Sequence, residues 1–146
     1  REIFSSLSVM ENLTLPLRKN RPGLWDLEKI FTHFPILKSR SHHRGSQLSG
    51  GEQQMLAIAR VLTMEIKLLL LDEPTEGIQP NIIQQIGEVI RYLKSQGDMA
   101  IILVEQYFDF AFDLADRFYA MKRGEVILSG PKQDVSKEKL REAVSI

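Results

Sequence analysis

Two short stretches carry residue types suited to phosphate chemistry. In Leu48-Ser49-Gly50-Gly51-Glu52-Gln53-Gln54, a hydroxyl residue and two glycines lead into a helix-like run. The unpaired donors and dipole at a helix start favour an anion, and glycine, lacking a Cβ, lets the backbone approach it closely. In Leu68-Leu69-Leu70-Leu71-Asp72-Glu73-Pro74-Thr75-Glu76, an apolar run ends in two adjacent acids, of the kind that a site handling phosphate and magnesium needs. Singly these signals are modest, since a leucine strand with solvated acidic ends and a glycine pair in a turn are both common.

The elements between and around them must position these groups. Ser8 and Glu11 have the spacing of a capping box, so a helix is expected to start at Ser8, carry Val9, Leu13 and Leu15, and end near Pro16. A basic, turn-rich connection follows at 18–23. Leu24, Leu27, Ile30, Phe31 and Phe34 recur at helical steps, predicting a helix over 24–34 that Pro35 stops. Polar loop is expected at 39–47 and a helix over 52–63. The apolar run 68–71 suits a strand buried on both faces of a parallel sheet. Pro80 fits a first helical position, Ile82, Ile83, Ile86, Val89, Ile90 and Leu93 form an amphipathic stripe, and Gly97 is expected to end it. A second buried strand at 100–104 completes a strand, helix, parallel strand unit. A helix over 107–115, a hairpin of 118–121 with 126–128 and a charged helical tail from 132 to 146 complete the chain.

Length and composition set limits. The 146 residues suit one domain, and 43% hydrophobic content can build a core. Basic and acidic residues number 19 each, so no nucleic-acid partner is expected. The absence of cysteine excludes disulfides, thiolate zinc sites and cysteine nucleophiles. The sequence has no apolar run of membrane-spanning length and no signal-peptide pattern, so a membrane link is expected to come through a partner. His33, His42 and His43 are read as exposed polar residues in or near loops, not as metal ligands.

Taken jointly, in this order and separation, the two stretches resemble the ATP-binding cassette (ABC) family: an LSGGQ-type signature with glutamate as its fifth residue, and a Walker B strand followed by Glu-Pro-Thr. The resemblance implies an α/β fold: a partial P-loop NTPase-like three-layer domain, its parallel sheet flanked by helices, with an α-helical subdomain. It implies a helical subdomain with the signature at 1–60 and a partial RecA-like core at 61–146. In phosphoryl transfer most catalysis is positioning and charge neutralisation. By resemblance Asp72 holds Mg2+, usually through water, and Glu73 is the catalytic base that polarises the attacking water. Ser49, Gly50 and Gly51 would touch the γ-phosphate of ATP bound mainly by the opposite subunit of a head-to-tail dimer, and Glu52 and Gln53 would contact nucleotide or neighbouring loops. A bulky residue at Gly50 or Gly51 is expected to abolish hydrolysis without unfolding the domain. Gln106 stands where most cassettes have a switch histidine; an amide can donate a hydrogen bond there but cannot carry a proton. Gln79 replaces an aspartate that many relatives place before the proline.

Thr75-Glu76-Gly77-Ile78-Gln79-Pro80, Val104-Glu105-Gln106 and Ala115-Asp116-Arg117 look most like the ATPase subunits of importers for branched-chain amino acids and especially urea. That implies transmembrane permease partners, docked on 5–47, and a peripheral place on the cytoplasmic face of the inner membrane. The sequence contains no Gly-x-x-x-x-Gly-Lys-Ser/Thr phosphate loop, and it begins at Arg1 in place of methionine. The expectation is a piece of a cassette that does not hydrolyse ATP alone. Its strands at 100–104 and 117–121 would either pair directly or use their unpaired edges to self-associate. Two other readings are a non-enzymatic dimerisation and permease-docking module, and a cassette ATPase of DNA repair or chromosome organisation. Neutral charge and the lack of a long coiled coil argue against the last.

Overall fold

The first helix, α1 (Val9–Thr14), forms where the Ser8 and Glu11 spacing places it. The Ser8 N–H donates to Glu11 Oε2 at 2.8 Å and the Glu11 N–H to Ser8 Oγ at 3.1 Å, so each side chain satisfies a donor that the helix leaves open. Buried Asn12 stitches the preceding segment to this helix: its Oδ1 accepts from the Phe4 N–H and its Nδ2 donates to the carbonyls of Phe4 and Ser8. The computed structural model describes residues 3–16 and 23–144, so all of the expected 18–23 connection except Gly23 lies outside the described residues.

The second helix differs from its periodicity. α2 (Leu27–His33) starts three residues late because Asp26 caps it, accepting from the Lys29 N–H at 2.8 Å. Leu24 and Trp25 instead donate their N–H groups to the carbonyls of Met64 and Leu62, which the end of the next long helix leaves open. Pro35 does not simply stop α2. It opens α3 (Pro35–Ser39), where its missing N–H costs nothing. Residues 45–47 form a 3-10 turn within the expected loop. The signature helix α4 (Gly50–Leu62) begins two residues before the predicted 52, with Ser49 as its cap.

β1 (Leu68–Asp72), α5 (Pro80–Gln96) and β2 (Ala100–Val104) form the predicted unit, the strands pairing in parallel from Leu68 opposite Ala100 to Asp72 opposite Val104. Pro80 lies in the first turn of α5, and Gly97 ends it at φ 71°, a conformation glycine adopts without a Cβ penalty. The strands are not buried on both faces. Leu69 and Leu71 are buried in one cluster with Ile86, Val89, Ile90 and Leu93 of α5, whereas Leu70 is 65% and Ile102 51% exposed. Among the described residues helices cover one face only, and a parallel sheet needs them on both to bury it.

α6 (Phe108–Leu114) follows, its end bound by Lys94 of α5, whose Nζ donates to the Leu114 carbonyl and to Asp116 at 2.9 Å. β3 (Arg117–Lys122) and β4 (Glu125–Pro131) make a longer hairpin than predicted, and Arg123 and Gly124, both at positive φ, supply the turn. Among the described residues the tail is helical over α7 (Lys137–Val144) alone; before it Val135 is buried with Phe118, Ala120 and Leu140. Of the two outcomes expected for 100–104 and 117–121, direct pairing with each other or self-association, the direct pairing does not occur. β1 and β2 form one two-stranded sheet, joined by the α5 crossover, and β3 and β4 another, joined by a tight turn.

His33 is neither in a loop nor simply exposed. In the last turn of α2 its ring lies 4.6 Å from that of Trp25 and 4.4 Å from that of Tyr92, and the Lys29 ammonium sits over both neighbouring rings. Burial first, then the Lys29 charge, hold its pKa below the ordinary 6.5. A folded-state pKa below the unfolded one means the folded chain binds fewer protons, so this contribution is complete above the unfolded value and is lost as pH falls through the folded one. The urea midpoint should therefore drop further in the wild type than in His33→Gln between about pH 7.5 and about pH 5.5. Parallel curves in the two proteins would contradict it.

Candidate functional site

The register of β1 and β2 brings two distant pieces of sequence to one end of a sheet. Because Asp72 faces Val104, the segments that leave both strands emerge side by side at the carboxyl end, where open α/β sheets bind ligands. The ladder extends one residue further: the Glu73 N–H donates to the Val104 carbonyl at 2.8 Å. Glu73 has φ 42°, a left-handed conformation that costs a residue with a Cβ roughly 1–3 kcal/mol and that clusters at functional sites. Its carboxylate meets the side chain of Gln106, whose Nε2 lies 3.5 Å from Glu73 Oε2. That is long for a settled bond, as is common at sites whose contacts tighten only around substrate. Asp72 is exposed beside this pair.

Magnesium fits these residues in a particular way. Among the described residues no three His, Cys, Asp or Glu side chains are grouped to hold a metal. A single exposed carboxylate suits an ion that keeps several waters and takes its remaining ligands from phosphate.

The signature is organised by its cap. Ser49 N–H donates to Glu52 Oε2 at 2.7 Å and the Glu52 N–H to Ser49 Oγ at 3.3 Å, leaving other first-turn donors of α4 open. Burial pushes the Glu52 carboxyl up, but the Ser49 backbone and hydroxyl bonds and Arg40, 3.5 Å away, together outweigh it and hold the pKa below the ordinary carboxylate range. Gln53 turns inward and donates to the carbonyls of Gly45 and Leu48 at 3.1 and 3.2 Å, bracing the loop that precedes the helix. Gly51 has a packing role as well: a Cβ there would stand 3.2 Å from both γ carbons of Ile82 in the first turn of α5.

The structure thus unites Glu73 with Gln106, next to Asp72, and separately unites Ser49 with Glu52. Among the described residues no hydrogen bond or ion pair joins 49–53 to Asp72, Glu73 or Gln106. Sequence reasoning missed Glu105. The Thr75 hydroxyl, 7% exposed, donates to Glu105 Oε2 at 2.7 Å, and the Tyr107 N–H donates to Glu105 Oε1 at 2.9 Å. Nothing local signals a pair thirty residues apart; only the strand register predicts it.

The family model described as ABC transporter matches residues 1–76. The high-affinity branched-chain amino acid transport ATP-binding protein BraG of Pseudomonas aeruginosa is 44% identical over 130 residues, 88% of this chain and 55% of that protein. The phosphonates import ATP-binding protein PhnC 3 of Halalkalibacterium halodurans is 38% identical over 73% of this chain and 41% of its own length. The glutamine transport ATP-binding protein GlnQ of Escherichia coli is 33% identical over 90% of this chain and 56% of its own. The chain therefore spans about half the length of the curated relatives it matches. Among solved structures, the dimeric post-hydrolysis state of the ATP-binding cassette MJ0796 bound to ADP and Pi superposes with a TM-score of 0.76 at 25% identity, over 90% of this chain and 59% of that one.

The Gly51 contact yields a stability test. Gly51→Val forces a branched side chain against Ile82 and should cost about 1–3 kcal/mol, the usual penalty of overpacking. Combining it with Ile82→Ala should recover part of that loss, so the two effects measured by urea denaturation should not add. Strict additivity would show that Ile82 is not the obstacle.

Proposed function

The chain belongs to the ABC transporter family, and on that premise we propose that it serves in the ATP-binding subunit of an importer, contributing the signature and the Walker B end of the nucleotide site. The observation that carries this is the convergence of Asp72, Glu73 and Gln106 at the carboxyl ends of two registered parallel strands. Glu73, fixed by its backbone bond to Val104, takes the proton of the attacking water. Gln106 donates to Glu73 and orients its carboxylate, and Asp72 would hold Mg2+. The ion, when bound, neutralises charge on the phosphates of ATP. Ser49, Gly50 and Gly51 face the γ-phosphate held by a second ATPase subunit in a head-to-tail dimer, while Glu52 and Gln53 keep the signature loop in shape. The phosphates of this chain's own site call for a phosphate loop that its sequence does not contain.

Residues 1–60 supply the helical part that meets the permease and 61–146 the nucleotide core. The division is one of role, since a single buried cluster runs across it from Val9 to Leu114. The uncovered face of β1 and β2 and their free edges are where the rest of the subunit, or a second copy, completes the sheet. The imported solute is a branched-chain amino acid or urea: the relative named for branched-chain amino acids supports the first, and the 76–80 run Glu-Gly-Ile-Gln-Pro the second. Among the described residues no helix is long and apolar enough to cross a membrane, which fits a peripheral subunit docked on permeases at the cytoplasmic face.

The test is a hybrid in which this chain replaces the aligned 130 residues of the branched-chain amino acid relative, which supplies the remaining length. The hybrid should hydrolyse ATP in the presence of Mg2+. Glu73→Gln should lower its kcat by roughly 10^2–10^4-fold, the usual contribution of a positioned base, while ATP still binds. A hybrid that binds ATP yet never turns it over would favour a non-enzymatic docking role.

A further inference from the structure

Glu73 and Gln106 lie on two separate loops, and something must set the distance between them. The bond from the Glu73 N–H to Val104 fixes only the first residue beyond β1. Past it, besides the 3.5 Å contact of Gln106 with Glu73 itself, one further cross-connection among the described residues joins the loops through side chains: the Thr75 hydroxyl donates to one oxygen of Glu105, and the other oxygen accepts from the Tyr107 N–H. Thr75 stands two residues after Glu73, and Gln106 lies between Glu105 and Tyr107, whose N–H donates to the Glu105 carboxylate. Thr75 is buried, and hydrogen bonds to an ionised acceptor are the strong ones. Both oxygens of one carboxylate are thus engaged in closing the frame around the Glu73 and Gln106 pair.

We propose that Thr75 and Glu105 form a strut that holds Gln106 in register with Glu73, and that Thr75 is a positioning residue for the hydrolysis proposed above. This inference rests on that reading for its catalytic consequence but not for its geometry. Neither residue touches the reacting atoms. Thr75 acts through Glu105 on the backbone at 106 and 107, so its hydroxyl is felt thirty residues away in sequence.

The test compares Thr75→Val, which keeps the shape and removes the donor, with Thr75→Ser, which keeps the donor. In this chain, Thr75→Val should speed hydrogen exchange at the Tyr107 amide about tenfold and move the side-chain amide signals of Gln106, while the buried Leu56 amide exchanges as before. Thr75→Ser should restore both. In the hybrid, Thr75→Val should lower kcat about tenfold with KM for ATP unchanged, and Thr75→Ser should recover it. Unchanged Tyr107 and Gln106 signals in Thr75→Val, equal effects of valine and serine, or altered signals with kcat intact would each overturn the proposal. A hybrid that does not hydrolyse ATP even with Thr75 and Glu73 in place would instead count against the ATPase reading, and Tyr107 exchange would still decide whether the strut exists.

Discussion

The site depends on the register of one pair of strands. Side chains alternate along a strand, so a slip of one residue between β1 and β2 would turn every apolar side chain of one strand to the wrong face. It would also separate the Glu73 N–H from the Val104 carbonyl and the Thr75 hydroxyl from Glu105. Register here is set by burial on a single face, where Leu69 and Leu71 meet the stripe of α5. The residues that fix the chemistry's geometry are thus leucines and isoleucines some distance from it, and the acids at the strand ends inherit their places.

That same sheet is only half covered. At about 25 cal/mol per Å2 of apolar surface, leaving Leu68, Leu70, Ile102 and Val104 exposed to between 48% and 65% forgoes stabilisation that the opposite face obtains. The helical part shows the contrast: Val9, Leu13, Trp25, Ile30, Phe34, Met55 and Leu62 are wholly or almost wholly buried. Stability is therefore concentrated away from the ends of β1 and β2, whose strands bury one face only.

What was legible in the sequence was local. The Ser8 and Glu11 box, Pro80 at the start of α5, Gly97 at its end and the turn between β3 and β4 each depend on a few neighbouring residues, and each formed where its chemistry predicts. The juxtaposition of Glu73 and Gln106 was only implied by family resemblance. Departures arose where a distant group supplied a better partner. Leu24 and Trp25 leave the helical pattern because the end of α4 offers carbonyls to them, and His33 leaves the loop class because Trp25 and Tyr92 give its ring two faces to pack on. Gly51 looked like a residue kept small for phosphate alone, yet its nearest obstacle is Ile82. A sequence states which groups need partners, while the fold decides which partners are in reach.

Glutamine at position 106 then takes on a definite physical meaning. An imidazole beside Glu73 would gain or lose charge near neutral pH, and its contact with the carboxylate would strengthen and weaken with protonation. An amide offers the same kind of donor without that dependence. Its contact at 3.5 Å must be held by geometry, because no change of charge can draw the two groups together. Glu73 is fixed by its strained backbone and the Val104 rung, and Gln106 by the carboxylate that brackets it. Where a titrating side chain would rely on electrostatic attraction, this chain joins the two loops through the Val104 rung and the Thr75–Glu105 bond, and those links become the more important for it.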